Sequence, residues 1–82
     1  MTKLPLISSK ELIAILEKEG FQKGDAGRGS HQDYIRENIA GEPTIVTVVI
    51  GKKELPQGTL LACLRRAGIS RERFFELYRR KR

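Results

Sequence analysis

The stretch TIVTVVI, residues 44–50, is β-branched at every position. Such side chains lose rotamer freedom in a helix and pack well on a pleated surface, so this is the strongest strand in the chain. It is apolar on both faces, which reads as the most deeply buried strand of a sheet. Before it, the polar ENIAGEP (37–43) makes a turn, and SHQDYIR (30–36) is a second strand. Alternation puts His31, Asp33 and Ile35 on one face and Ser30, Gln32, Tyr34 and Arg36 on the other. A short strand near FQKG (21–24) and a turn at DAGRG (25–29) complete a hairpin.

Helices flank these strands. SSKE (8–11) fits a capping box, with Ser8 at the N-cap and Glu11 reaching back from the third helical position. Leu12, Ile13 and Leu16 follow at helical spacing, and Gly20 suits a left-handed C-terminal cap, giving a helix over about 9–19. After GKKELPQG, a second helix starts near Pro56, turns Leu60, Leu61, Leu64 and Ala67 inward, and stops at Gly68. Cys63 falls on its core side. Ser70 caps a third helix with Phe74, Leu77 and Tyr78 on one face, and RRKR frays into solvent. The order α-β-β-β-α-α predicts an α+β domain, a small antiparallel sheet with helices on one face. Residues 1–82 read as a single domain, because so short a chain has room for one core only.

Composition narrows the function. The longest strongly apolar run is far too short to span a membrane, and the N-terminus lacks a signal-peptide core, so a cytoplasmic location with no membrane partner is the expectation. One cysteine and one histidine on separate elements supply no metal-ligand set, and no cofactor is implied. The glycines of GDAGRG lack the strand, helix and Lys-Ser/Thr of a phosphate-binding loop. Residues 1–64 carry eight Lys/Arg and eight Asp/Glu, so the net charge of +6 sits in residues 65–82, which hold eight Lys/Arg against Glu72 and Glu76. A basic end points to an anionic partner, either nucleic acid or an acidic protein, or else serves as a solubilising tail. A helix–turn–helix reader is disfavoured, because Phe74, Phe75, Leu77 and Tyr78 crowd the candidate recognition helix.

His31 is the residue with chemistry to offer. Cleaving RNA without a metal takes a base for the 2′-hydroxyl, a cation for the phosphorane and an acid for the leaving oxygen. An ordinary imidazole serves either proton role near neutral pH. Arg28, Gly29 and Ser30 form a turn that lets a phosphate approach beside His31. Lys52 and Lys53 stand before the second helix, and convergence of the two loops at one sheet edge would bring cations and imidazole together.

Three segments in order, LPLISSKELIAILEKEGF (4–21), RGSHQDYIR (28–36) and ELPQGTLLACLRRAGISRERF (54–74), resemble the HicA toxins of bacterial toxin–antitoxin pairs. The resemblance implies a fold like a double-stranded-RNA-binding domain. It also implies an endoribonuclease that cleaves mRNA and slows translation, and a HicB antitoxin that binds the toxin and blocks its site. The family's catalytic histidine falls on His31. Arg28, Lys52 and Lys53 as phosphate contacts are an inference from charge and placement. Many relatives carry Pro-x-His after the third strand, where this chain has Ile50-Gly51-Lys52, so a second imidazole has no occupant here. A non-catalytic RNA-binding module, or an inactive partner of an acidic antitoxin, is the alternative.

Overall fold

The computed structural model describes residues 4–80, the side chains of 25–28 and 80 excepted. Its elements are α1 (Ser9–Lys18), β1 (Gln22–Arg28), β2 (His31–Arg36), β3 (Thr44–Val49), α2 (Gln57–Ala67) and α3 (Arg71–Arg80), an α+β domain with one antiparallel sheet in the order β1-β2-β3. The capping box forms as the sequence predicts. The Ser8 hydroxyl accepts from the Glu11 amide at 3.1 Å, and the Ser8 amide donates to the Glu11 carboxylate at 2.9 Å. At the other end Gly20 takes φ +90°, and the Gly20 and Phe21 amides donate to the Glu17 and Leu16 carbonyls. That pair of bonds is a Schellman cap, and it turns Phe21 back into the core.

Two strand expectations change. DAGRG is not a turn: β1 runs through it to Arg28, with a register shift between Lys23 and Gly27, and pairs Arg28 with His31. The connection is Gly29-Ser30 alone, with positive φ only at Gly29 (+56°), the pattern of a two-residue type II′ turn. Pairing with β2 imposes extended structure on a segment of low β-propensity. The second change concerns β3, which is an edge strand buried on one face only. Val46 and Val48 are fully covered, whereas Ile45 is 40 % exposed and Thr47 is open. Its outer edge is closed by α2 rather than by another strand. The Arg66 Nε–H donates to the Ile45 carbonyl at 3.2 Å, and the Cys63 thiol lies 3.8 Å from the Thr47 carbonyl as a donor. Covering unpaired edge groups in this way removes a template for strand addition.

The core lies between the covered sheet face and the helices. Tyr34, Val46 and Val48 from the sheet meet Leu12, Ile15, Leu16, Leu60, Leu64, Phe74 and Leu77. Phe74 stacks on Tyr78 at 5.8 Å and meets Phe75 edge-on at 5.3 Å, so the aromatic stretch of α3 is consumed by packing. Ser70 caps α3 through the Arg73 amide. RRKR does not fray where expected, since Arg79 and Arg80 continue α3, while Lys81 and Arg82 lie outside the described residues.

Candidate nucleic-acid interface

Chain pairing brings the two loops to one end of the sheet. His31 opens β2, opposite Arg28 on one side and Val49 on the other. One residue earlier, the Ser30 carbonyl accepts from the Ile50 amide at 2.7 Å, tying the Gly29-Ser30 turn to the exit of β3. Lys52 and Lys53 follow two residues later, both exposed. His31 is exposed on the face away from the helices, since its neighbour in alternation, Tyr34, belongs to the covered set through Gln32. Among the described residues no hydrogen bond holds its imidazole. Asp33, two residues on and on the same face, accepts from the Thr47 hydroxyl at 2.7 Å instead. That carboxylate is thus committed across the strands, and orients Thr47 rather than the imidazole.

Sequence reasoning missed the residue that organises this end. Ser9, 2 % exposed, donates its hydroxyl to the Val49 carbonyl at 2.6 Å and accepts from the Lys52 amide at 3.1 Å. Its own amide donates to the Lys52 carbonyl at 3.0 Å. The start of α1 is therefore clamped to the loop leaving β3. Further along, the Leu55 amide donates to the Ile7 carbonyl and the Gln57 side chain to the Leu4 carbonyl. A second serine beside an N-cap serine, on the apolar side of the helix, was the available signal. Lys10 was also missed. It joins Ser8, Ser9, Gly51, Lys52 and Lys53 around a cleft of about 260 Å³.

The other candidates resolve as structural. Burial pushes the Cys63 thiol above its ordinary value, opposite to what a nucleophile requires. Among the described residues no three His, Cys, Asp or Glu side chains are grouped to hold a metal ion. Part of the basic end is engaged internally. Arg73 makes a two-pronged pair with Glu19, whose side chain is only 17 % exposed, and a second pair with Glu76 at 2.6 Å. No helix among the described residues is long and apolar enough to cross a membrane.

A three-stranded sheet with helices on one face carries an exposed histidine at one end, and three lysines line a cleft where α1 meets the loop leaving β3. The profile of the HicA toxins of bacterial toxin–antitoxin systems matches residues 9–69, and the chain belongs to that family. The match takes in α1, the whole sheet and α2, so it includes every element that meets at His31. The protein is accordingly the toxin of a toxin–antitoxin system, and membership implies an antitoxin partner and an RNA substrate. No curated protein sequence matches the chain.

Proposed function

We propose that this toxin is a metal-independent endoribonuclease that cleaves mRNA, with His31 as its general acid and base. In this reading the imidazole takes the proton of a ribose 2′-hydroxyl as the 2′-oxygen attacks phosphorus. The bond from phosphorus to the 5′-oxygen breaks, and the imidazolium returns its proton to that leaving oxygen. The products are a 2′,3′-cyclic phosphate and a 5′-hydroxyl, with no net change in protons. In this reading Arg28 and the Gly29-Ser30 turn receive the phosphate, and the charge of Lys52 and Lys53 attracts the RNA backbone that flanks it.

The observation that carries this reading is the position of His31 within the family match. The only imidazole in the chain is exposed at the sheet end where the Gly29-Ser30 turn and the β3–α2 loop are hydrogen-bonded together. A HicB-like antitoxin covering the open sheet face would block it. Because Ile50-Gly51-Lys52 offers no second imidazole, one group performs both transfers in turn. The test incubates purified wild type and His31→Ala with mRNA in the presence of a chelator. Wild type is expected to cleave and the variant to leave the RNA intact; equal cleavage by both overturns the assignment.

A further inference from the structure

We propose that Lys10, Lys52 and Lys53 form a second phosphate site, which grips the RNA backbone beside the bond at His31 rather than at it. The inference rests on the RNA reading above and names the part of the substrate that this cleft holds. Three lysines line one small cleft, and among the described residues none of them is in an ion pair. Other cations are engaged singly, Arg73 with two glutamates, Arg66 on a β3 carbonyl and Arg36 on the Ala67 carbonyl and the Phe21 ring, whereas these three lysines line one cleft together. Like charges gathered without a counter-ion repel, so this grouping opposes folding and favours an arriving anion.

The start of α1 supplies little of the binding itself. Of its first four amides, that of Ser8 goes to the Glu11 carboxylate, that of Ser9 to the Lys52 carbonyl and that of Glu11 to the Ser8 hydroxyl, which leaves that of Lys10. Glu11 answers the Ser8 amide, so its carboxylate is drawn to the cap. The lysine side chains are therefore the binding groups, and Ser9 fixes the distance between their two segments. A cleft of about 260 Å³ is below the roughly 300–1,000 Å³ that encloses a free small ligand, and suits one group on a chain.

Position separates this site from the scissile one. His31 projects from the open sheet face, whereas the cleft lies where α1, packed on the covered face, meets the loop leaving β3. Val49 faces His31 across the strands and Lys52 is three residues further on. Their backbone positions are thus at most about 17 Å apart, a distance a few nucleotides cover. An RNA strand reacting at His31 passes around the end of β3 to reach the lysines.

The test measures RNA affinity against salt in the His31→Ala background, where no cleavage intervenes. Single-stranded RNA is the probe, and Lys10→Ala, the Lys10→Ala/Lys52→Ala/Lys53→Ala combination and Lys18→Ala as a control on the far end of α1 are compared. Each lost lysine contact should flatten the logarithmic salt slope by about 0.7, so the triple variant loses about 2. Slope and affinity matching the Lys18→Ala control overturn the proposal. So does a triple variant that binds RNA normally but loses its antitoxin, which would assign the cleft to an acidic protein. Because binding is read without catalysis, failure of wild type to cleave RNA leaves this outcome legible.

Discussion

The C-terminal helix and the lysine rim are both basic, but only the helix has an arginine held in ion pairs. Residues 65–82 carry the whole net charge of +6, while residues 1–64 are balanced. Yet Arg73 of α3 is spent on Glu19 and Glu76, and Arg66 of α2 on a backbone carbonyl. Lys10, Lys52 and Lys53 come from the balanced part and stand together without ion pairs among the described residues. Where charge accumulates along a chain is therefore a poor guide to where it is available. Folding cancels some cations against carboxylates and carbonyls and collects others from segments over 40 residues apart.

If α3 is structural, Phe74→Ala gives the largest effect. The ring is fully buried, and its removal should cost about 3–5 kcal/mol in denaturant unfolding. A variant of unchanged stability that no longer binds RNA would reverse the roles of the two regions. Ser9→Ala sharpens the other side of the comparison. It strands the Val49 carbonyl and the Lys52 amide, for an expected loss of about 1–3 kcal/mol. It should also weaken RNA binding, since the β3–α2 loop is then tied to the start of α1 by the Ser9 amide and not by the hydroxyl as well; Ser9→Thr, retaining the hydroxyl, should recover part of both.

The smallest effect is a pH dependence confined to the core. Burial raises the Cys63 thiol above 9.0, and burial followed by Glu17 raises the Tyr34 phenol above 10.0. The folded state holds these protons more tightly than the unfolded state. Their contribution is complete below pH 9 and is lost as pH rises through each folded value. Unfolding midpoints should fall above pH 9, and less steeply in Cys63→Ala. An equal alkaline fall in both chains would remove Cys63 from this account.

The local parts of the fold were legible because their causes are local. Ser8, Glu11 and Gly20 signal α1 within a dozen residues, and alternation places His31 and Asp33 on one face. What needed the third dimension was pairing. Nothing in DAGRG favours a strand until β2 lies beside it, and nothing in TIVTVVI says that Arg66 and Cys63 will close its outer edge. Of the site, His31 and the two loops were readable. Ser9 and Lys10 were hidden, because their partners lie 40 or more positions away and Ser9 looked like a spare beside a capping serine.

The central claim is that His31 moves protons rather than holds RNA. Its most direct test is the single-turnover cleavage rate at saturating RNA, with chelator, for wild type and His31→Ala, alongside their RNA affinities. The account predicts a rate lower by about 10²–10⁴-fold with affinity nearly unchanged. A variant that cleaves at the wild-type rate once saturated, having lost only affinity, would contradict it.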